Sequence, residues 1–309
     1  MSLRVWLTGA GGMVGRNIAE HPALRGWELI APTRAELDLE DADAVGGFVS
    51  DTRPQVVIHA AGLVGGIQAN IARPVDFLVR NTDIGRNVVL AAHAAGVQQL
   101  INLGSSCMYP RDTNGPLRES QIGSGTLEPT NEGYALAKLH TLRLVQYLRR
   151  QEPTLQYATL VPCNLYGRHD HYEAGRSHLV AAALHKVIEA RRQGRDRIVV
   201  WGDGSARREF MDAADLADAV LRFVRQGQGA PEILNIGTGR DHSVDEIHLT
   251  AARALGWPVT LEHDLARPVG MKRKLLDVSA QTAWGWAPRI HLLQGMQRAL
   301  EQILDVETA

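Results

Sequence analysis

The sequence has little of what marks a disulfide-stabilised, nucleic-acid-binding or membrane protein. Its 309 residues include two cysteines, Cys107 and Cys163, which excludes a disulfide framework and favours a reducing compartment. Lys and Arg total 33 against 34 Asp and Glu, without the basic excess typical of a nucleic-acid binder. No apolar run approaches the roughly 20 residues that span a bilayer, and the N-terminus lacks a signal-peptide pattern. These absences predict a cytoplasmic protein that acts on a small molecule and binds neither nucleic acid nor membranes.

Apolar residues make up 45% of the chain and charged residues 22%, which is enough for a sizeable core. Strand and helix patterns alternate along the first half. Strands are predicted at residues 3–8, 28–32, 55–60, 98–103 and 154–160. Helices are predicted between them, at residues 17–24, 74–95 and 131–150. This alternation predicts an α/β fold with a doubly wound parallel sheet and helices on both faces.

The pattern changes after about residue 168, where helices such as 177–193 dominate. Short strands are predicted at 198–201 and 233–236. We expect a Rossmann-type cofactor domain at 1–168 and a smaller C-terminal substrate-binding lobe at 169–309. Some segments of this lobe are expected to return to the main sheet.

A glycine-rich turn lies between the first predicted strand and helix. Its glycines form the pattern G-x-x-G-x-x-G, in which one permits a tight turn, one admits a pyrophosphate and one allows close helix–strand packing. The predicted dinucleotide-binding residues are Gly9, Ala10, Gly11, Gly12, Met13, Val14 and Gly15.

The end of the second predicted strand favours NADP(H) over NAD. NAD-binding folds usually place an Asp or Glu there to bind the ribose 2′-hydroxyl, whereas residues 31–34 contain no acid and end in Arg34. Arg34 is therefore the predicted partner of the 2′-phosphate, although a solvated surface arginine would give the same pattern. Asp38 and Leu39 follow, within reach of the adenine.

Tyr134 and Lys138 form the pattern Y-x-x-x-K on a predicted helix, so their side chains lie one turn apart on one face. The ammonium, together with the positive charge of an oxidised cofactor, is expected to lower the pKa of the Tyr134 phenol. The phenol could then exchange the proton that accompanies hydride transfer. A hydroxyl from residues 104–107, at the end of a predicted strand, could hold the same oxygen. This combination predicts an oxidoreductase, although Y-x-x-x-K alone is common by chance.

The glycine turn, the serine at the strand end and Y-x-x-x-K occur in the order of the extended short-chain dehydrogenase/reductase superfamily, and the resemblance spans nearly the whole chain. Eight segments further resemble the GDP-L-fucose synthase family, which catalyses 3,5-epimerisation and 4-keto reduction of GDP-4-keto-6-deoxy-D-mannose. These segments are 61–67, 103–110, 128–132, 164–167, 177–178, 200–202, 208–210 and 273–277.

The resemblance implies a role for each matching catalytic residue. Tyr134 would donate the proton during ketone reduction, and Lys138 would assist it electrostatically and bind the cofactor ribose. Ser105 would hold the sugar oxygen and Ser106 would lie nearer the cofactor, although the motif admits either serine. Cys107 and His178 would exchange protons during epimerisation. Considered alone, Cys107 also suits a packed core and His178 an ordinary helix terminus.

The resemblance also implies binding contacts but no metal site. Further contacts to NADP(H) are implied at Leu103, Gly104, Ser106, Pro162, Cys163, Asn164, Leu165 and His178. Contacts to a GDP-linked 4-keto-6-deoxy sugar are implied at Ser105, Cys107, Asn164, Lys186, Trp201 and Arg208. Among these, Lys186 and Arg208 would hold the diphosphate, and the indole of Trp201 would lie beside the base. Val269 stands where the family usually has an Asp, which leaves open a deoxyheptose or colitose precursor as the substrate.

Two other functions suit parts of the sequence. An NDP-sugar 4-epimerase or dehydratase with bound NAD would share the fold and the Tyr–Lys pair, but it needs neither Cys107 nor His178. A non-catalytic dinucleotide sensor would have no use for Tyr134 or Lys138. The combined pattern therefore favours the epimerase/reductase.

A homodimer is expected, because helices around residues 82–95 and 134–150 commonly pack between subunits in this superfamily. Leu139, Leu142, Val145 and Leu148 supply an apolar stripe on the second of these helices. The same stripe would also suit a helix that packs only on its own sheet.

Overall fold

The structure is a computed structural model that describes residues 2–113, 115–171, 178–227, 229, 231–266 and 271–308. Its strands are β1 (Arg4–Thr8), β2 (Glu28–Ile30), β3 (Val56–His59), β4 (Gln99–Leu103), β5 (Gln156–Pro162), β6 (Asn164–Tyr166), β7 (Arg197–Trp201), β8 (Arg207–Asp212), β9 (Ile233–Ile236), β10 (Asp241–Ser243), β11 (Thr260–Asp264) and β12 (Arg273–Lys274). Its α-helices are α1 (Met13–Ala19), α2 (Ala42–Thr52), α3 (Ile67–Ala72), α4 (Pro74–Ala94), α5 (Glu132–Gln151), α6 (Leu179–Arg192), α7 (Ala213–Gln226), α8 (Val244–Leu255), α9 (Ser279–Ala283) and α10 (Leu292–Thr308).

Six parallel strands form the main sheet in the order β2-β1-β3-β4-β5-β9. Alternate residues of β1 enter different cores, because successive side chains of a strand point to opposite faces. Val5 packs with Ile18 of α1 and Phe223 of α7, whereas Trp6 packs with Val49 of α2 and with side chains of α4 and α5. Helices thus cover both faces, and the predicted doubly wound parallel sheet is confirmed.

The first helix differs from the predicted range of 17–24. It begins at Met13, directly after the glycine turn, and ends at Ala19. A separate 3-10 turn follows at Pro22–Leu24, because a proline cannot donate the backbone hydrogen bond that would continue an α-helix. The early start places the N-terminus of α1 in the glycine turn itself.

The C-terminal half contributes both to the main sheet and to a second layer. Its strand β9 pairs with β5 in the main sheet. Strand β8 pairs with β6, β10 and β12 in a smaller sheet, and β7 pairs with β11. Helices α6, α8 and α10 surround a separate apolar core. The division at residue 168 stays a prediction.

The apolar stripe predicted on α5 faces the interior of its own chain. Leu142 and Val145 are completely buried, Leu148 nearly so, and Leu139 packs against the core. The assignment of this stripe to a subunit contact was therefore wrong, because helix geometry turns these positions towards the sheet and α4.

The carboxyl ends of parallel strands meet at one edge of a sheet, and ligands of such folds bind outside that edge. The glycine turn follows β1, residues 104–107 follow β4, and residues 163–165 follow β5. The fold therefore brings the predicted cofactor and catalytic segments to one edge. Among the helices that the structure describes, none has the length and apolar character needed to cross a membrane.

Candidate active site

The glycine turn after β1 is shaped by two steric requirements. Gly9 has a φ of +70°, and a Cβ atom there would lie 2.8 Å from Ala61 Cα. A Cβ atom on Gly15 would lie 2.1 Å from Gly9 O, so the helix could not pack this close to the strand. Larger side chains at either position would displace the turn.

The outer part of the turn is open. A Cβ atom on Gly11 would meet no atom within 4 Å, and Gly12 caps α1 without a side-chain hydrogen bond. Ala10 and Val14 point towards the core, while Met13 is half-buried as the first residue of α1. The backbone amides at the start of α1 are therefore accessible, and the turn fits the pyrophosphate of a dinucleotide.

The loop after β2 carries an ion-pair cluster. Arg34 is 70% exposed and lies 3.1 Å from Glu40, whose carboxylate also accepts three hydrogen bonds from Arg80. Asp38 accepts the Glu40 amide hydrogen, and Leu39 packs beneath the loop. Two guanidinium groups share the Glu40 carboxylate here, and the more exposed of them, Arg34, could turn towards a phosphate.

Helix α5 places Tyr134 and Lys138 against the end of β4. The Lys138 ammonium donates to Leu103 O at 3.0 Å and lies 5.9 Å from the centre of the Tyr134 ring. Burial lowers the pKa of Lys138 to about 8, so the side chain remains mainly charged at neutral pH. Phe77 of α4 packs edge-on against the Tyr134 ring.

Burial raises the pKa of the Tyr134 phenol well above its usual range, with a further contribution from Cys107, and a hydrogen bond with the Ser105 side chain opposes the rise. Among the groups of the protein itself, loss of solvation outweighs the Lys138 ammonium that lies over the ring. The expected lowering of this pKa includes the positive charge of the oxidised cofactor and stays a prediction. A phenol that stays protonated suits a proton donor.

The two serines after β4 have different surroundings. Ser105 caps the short 3-10 turn Ser106–Met108, and its hydroxyl accepts from the Cys107 amide at 3.2 Å while also reaching Tyr134. Ser106 is buried, and Gly104 is fixed by its amide hydrogen bond to Leu160 O. Of the two hydroxyls, Ser105 therefore lies where it could share a substrate oxygen with Tyr134.

Two nitrogen atoms surround the Cys107 sulfur. Asn131 Nδ2 lies 3.1 Å from Sγ, and Lys274 Nζ lies 3.9 Å from it. Cys107 is half-buried, so its sulfur is not sealed in the core. The packed-core alternative for Cys107 does not account for two polar neighbours.

His178 is the N-cap residue of α6 and is exposed, with no capping hydrogen bond from its side chain. Within the described residues it makes no hydrogen bond with Cys107, Tyr134 or Ser105, so its pairing with Cys107 stays a prediction. It interacts electrostatically with Asp170, whose pKa is raised by burial and lowered in part by His178. One Asp170 oxygen is buried and has no partner in the part of the chain described. The Asp170 carboxylate is thus available to orient the imidazole.

The predicted nicotinamide-lining segment, residues 162–165, runs from β5 into β6. The Cys163 amide donates to Ile236 O at 3.0 Å, and burial raises the pKa of the Cys163 thiol, which leaves it chemically inert. Asn164 Nδ2 donates to Glu209 O, and Leu165 packs against the main core. Pro162 ends β5.

The predicted nucleotide contacts lie on the second layer. Lys186 Nζ donates to Val199 O at 2.6 Å, which brings α6 beside β7, where the Trp201 side chain is 49% exposed. Arg208 lies in β8 directly opposite Lys274 of β12. Its sequence neighbour Arg207 and Arg273 line an open cleft of about 810 Å³. Val269 and Ser177 lie outside the described residues.

Four residues of this site had no predicted role: Asn131, Asp170, Glu209 and Lys274. Asn131 and Lys274 lie inside the family-like segments 128–132 and 273–277, which was the available signal. The buried Glu209 carboxylate accepts from the amides of Thr238, Gly239 and Leu276, and so ties the segment after Lys274 to β8. These contacts join residues far apart in sequence, which no local pattern could reveal.

Comparisons with known proteins agree with this geometry. Residues 5–237 match the model of the NAD dependent epimerase/dehydratase family. The chain is 42% identical to a GDP-L-colitose synthase from Yersinia pseudotuberculosis, with 98% of each chain covered. It is 45% identical to a GDP-L-fucose synthase from Azorhizobium caulinodans over 95% of this chain and 94% of that one.

Among solved structures, a GDP-mannoheptose C4 reductase from Campylobacter jejuni with NADP bound superimposes with a TM-score of 0.88 at 27% identity, covering 98% of both chains. The family match covers most of the chain, and the relatives align along nearly their whole length. The chain therefore belongs to the NAD dependent epimerase/dehydratase family, in the group that contains the GDP-L-fucose and GDP-L-colitose synthases.

Proposed function

We propose that this protein is an NADPH-dependent epimerase/reductase that converts GDP-4-keto-6-deoxy-D-mannose to GDP-L-fucose by 3,5-epimerisation and 4-keto reduction. The observation that carries the proposal is that Ser105 contacts both Cys107 and Tyr134. The Ser105 hydroxyl accepts from the Cys107 amide at 3.2 Å and forms a hydrogen bond with the Tyr134 side chain, so a proton donor for a ketone and a group that could move protons next to that ketone lie at one site.

The reduction uses the residues at the carboxyl edge of the main sheet. The open glycine turn would hold the pyrophosphate of NADPH, Arg34 its 2′-phosphate and Lys138 its ribose, and the bound cofactor would supply the hydride. Tyr134 donates the proton to the C4 oxygen, and Ser105 holds that oxygen by a second hydrogen bond. The buried, protonated phenol is the state that this step requires.

The epimerisation follows from the same ketone. A carbonyl at C4 acidifies the hydrogens on C3 and C5, so a base can remove one of them and leave an enolate whose oxygen lies near Tyr134 and Ser105. Cys107 removes the proton, and His178 returns a proton from the opposite face. A thiol and an imidazole both change protonation state within reach of neutral pH.

The nucleotide half of the substrate would lie along the second layer. Lys186 and Arg208 would hold the diphosphate, and the half-exposed indole of Trp201 would lie beside the base. The names of the relatives, GDP-L-colitose synthase and GDP-L-fucose synthase, support a GDP-linked sugar. A colitose precursor or a deoxyheptose is therefore the nearest alternative substrate.

An NDP-sugar 4-epimerase or dehydratase with permanently bound NAD is a second candidate. Solved UDP-glucose 4-epimerases share the fold at 21–23% identity. Such an enzyme has no use for a sulfur held between Asn131 and Lys274, and it returns the hydride that it takes. The two candidates therefore differ in whether NADPH is consumed.

The test is incubation of the purified protein with NADPH and a panel of GDP-4-keto sugars in D₂O, followed by NMR of the products. We expect stoichiometric oxidation of NADPH and deuterium at both C3 and C5 of a GDP-L-fucose product. The Cys107→Ser variant should lose most of the deuterium incorporation, because a serine hydroxyl is a far weaker acid and its anion is not formed near neutral pH. A purified protein with tightly bound NAD and no net NADPH consumption would instead establish the 4-epimerase.

We also propose that the protein is a cytoplasmic homodimer. Apolar side chains remain exposed on two adjacent helices, Val75, Val79 and Leu90 on α4 and Leu136 and Tyr147 on α5, each between 41% and 68% exposed. On each helix they recur at helical spacing and form one face. These residues, rather than the buried stripe of α5, are the proposed subunit contact. Two unpaired cysteines and a nucleotide-linked substrate suit the cytoplasm.

A further inference from the structure

We propose that Lys274, together with Asn131, holds Cys107 as the thiolate that removes the proton during epimerisation. This inference rests on the proposed function only for the role of the thiolate. The contacts that carry it, Lys274 Nζ to Sγ at 3.9 Å and Asn131 Nδ2 to Sγ at 3.1 Å, are independent of the substrate.

Both neighbours of the sulfur are hydrogen-bond donors. An ammonium has three donor hydrogens and no acceptor, so Lys274 cannot receive a hydrogen bond from a thiol. Its contact with Cys107 is favourable only when the sulfur acts as an acceptor, and an anionic sulfur accepts far better than a thiol. The Asn131 amide donates to the same sulfur from another direction. The pair therefore stabilises the deprotonated sulfur.

In the described part of the chain, no carboxylate competes with the Cys107 sulfur for the Lys274 ammonium. None of the carboxylates described there lies within ion-pair distance of Lys274. Cys107 also interacts electrostatically with Tyr134 and Lys138 on α5, and Lys274 acts in addition on the buried Cys163 thiol, whose pKa it lowers in part. A negative charge on Cys107 raises the pKa of Tyr134 further, which keeps the phenol protonated for the later reduction. The negative charge on Cys107 would thus serve the epimerisation, in which the sulfur removes a proton, and the reduction, in which the protonated Tyr134 donates one.

Lys274 is held in place by backbone contacts on several sides. Strand β12 pairs with β8, so that Lys274 lies opposite Arg208. The Leu276 amide donates to the buried Glu209 carboxylate at 2.8 Å, and Leu275 O accepts from the Leu117 amide. The ammonium is therefore presented to Cys107 by an ordered segment.

The proton transfer balances within these groups. The Cys107 thiolate takes a proton from a carbon next to the ketone. The electron pair of that C–H bond forms a double bond to C4, and the π electrons of the C4 carbonyl move onto its oxygen. Cys107 becomes a thiol, and Lys274 remains an ammonium throughout. Because Lys274 stabilises the anionic sulfur, the thiol then loses its proton to solvent and Cys107 returns to its starting state.

The experiment measures the thiolate directly, without substrate. The full-length protein with NADPH present is alkylated with iodoacetamide at pH 7, and the rate at Cys107 is followed by peptide mass spectrometry, which separates it from Cys163. In Lys274→Met we expect the rate to fall about three- to tenfold, because the thiolate is the form that reacts and it loses the charge that stabilises it. Lys274→Arg, which keeps the charge, should restore most of the rate.

Lys272→Met is the matched control, since it removes an equal charge from an exposed lysine two positions away. Its Cys107 alkylation rate should change by less than about twofold, because exposed charges further from the sulfur are screened. An unchanged alkylation rate in Lys274→Met, or equal effects of the Lys272 and Lys274 variants, would overturn the inference. A slowed rate in a protein that turns over no GDP-4-keto sugar would uphold the stabilisation of the thiolate by Lys274 and reject the proposed function, including the role of the thiolate in epimerisation.

Discussion

At the residue scale, the proposed role of Tyr134 as proton donor requires its hydroxyl only when charge develops on the ketone oxygen. We expect Tyr134→Phe to lower the NADPH oxidation rate by roughly 10²–10⁴-fold, the usual contribution of a general acid, while NADPH affinity stays within about twofold. The measurement is steady-state absorbance at 340 nm together with fluorescence titration of NADPH. Tyr147→Phe, on the same helix but 53% exposed, is the matched control. Near-normal turnover in Tyr134→Phe would mean that the proton comes from another group.

Arg34 should discriminate between the two nicotinamide cofactors. Its guanidinium is exposed, and it shares Glu40 with Arg80, so it can turn towards a 2′-phosphate at little cost. Loss of a charged hydrogen bond costs about 1.5–3 kcal/mol. We therefore expect Arg34→Ala to raise the Kd of NADPH about 10- to 100-fold and to leave the Kd of NADH nearly unchanged, as measured by calorimetry. A parallel loss of both affinities would contradict the assignment.

His59 is a buried histidine at the end of β3. Its Nδ1 lies 2.9 Å from the Thr8 hydroxyl, and that hydroxyl accepts from the Ala61 amide. Burial, together with the nearby Lys138 ammonium, lowers the pKa of His59 to about 3. The folded protein therefore keeps His59 neutral under conditions in which an unfolded chain would protonate it.

This shift predicts a loss of stability in acid. A depressed histidine pKa contributes stability above the unfolded value of about 6.5, and that contribution is lost as the pH falls from there towards 3. We expect the free energy of unfolding in urea to fall by roughly 2 kcal/mol between pH 6.5 and 5 because of His59 alone. His59→Asn should weaken the pH dependence of the free energy of unfolding in this range. His291 is exposed, and His291→Asn should leave that pH dependence parallel to the wild-type profile. Parallel profiles for both variants would refute the assignment.

At the element scale, the junction of β1 and α1 depends on close backbone contact. A Cβ atom on Gly15 would lie 2.1 Å from Gly9 O, whereas one on Gly11 would meet no atom within 4 Å. We expect Gly15→Ala to lower the free energy of unfolding by about 1–3 kcal/mol, since an overpacked contact forces the helix away. Gly11→Ala should change it by less than about 0.5 kcal/mol. Thermal unfolding by circular dichroism distinguishes the two, and equal Tm values would show that α1 can move without cost.

Helix α5 contacts three different surroundings through different faces. Its buried face holds Leu142 and Val145 in the core, its N-terminal turns present Tyr134 and Lys138 to the end of β4, and its outer face exposes Leu136 and Tyr147. The spacing of 3.6 residues per turn separates these faces. A single helix thereby couples the core, the active site and the proposed subunit contact.

At the scale of the whole molecule, the exposed apolar faces of α4 and α5 should carry a subunit interface. We expect a dimeric mass by light scattering at micromolar concentration, and a monomeric mass for the Val79→Glu, Leu136→Glu double variant, because charges buried without partners are costly. Leu249→Glu on α8, where the leucine is 41% exposed, is the matched control and should remain dimeric. A monomeric wild-type protein would contradict the proposal.

The whole-molecule arrangement also decides the chemistry of the site. Cys107 belongs to the edge of the main sheet, whereas Lys274 belongs to the smaller sheet of the second layer. The two residues are 167 positions apart in sequence. Their contact exists only because the smaller sheet folds back over the ends of β4 and β5.

Local rules were sufficient for the architecture and for the order of the site segments. Alternating strand and helix periods, the steric demand of Gly9 and Gly15, and the one-turn spacing of Tyr134 and Lys138 act over a few residues. The doubly wound sheet was accordingly predicted correctly, because it depends on backbone geometry that nearby side chains specify. The family was predicted correctly from the resemblance of eight segments to known proteins.

Other features depend on solvent exclusion and on contacts across the chain, which no local pattern contains. The raised pKa of Tyr134 reflects burial rather than its neighbour Lys138, and the apolar stripe of α5 faces inward because α4 and the sheet lie there. The environment of Cys107, between Asn131 and Lys274, required two sheets to meet. Desolvation and long-range packing are properties of the folded chain, so only the tertiary structure could settle them.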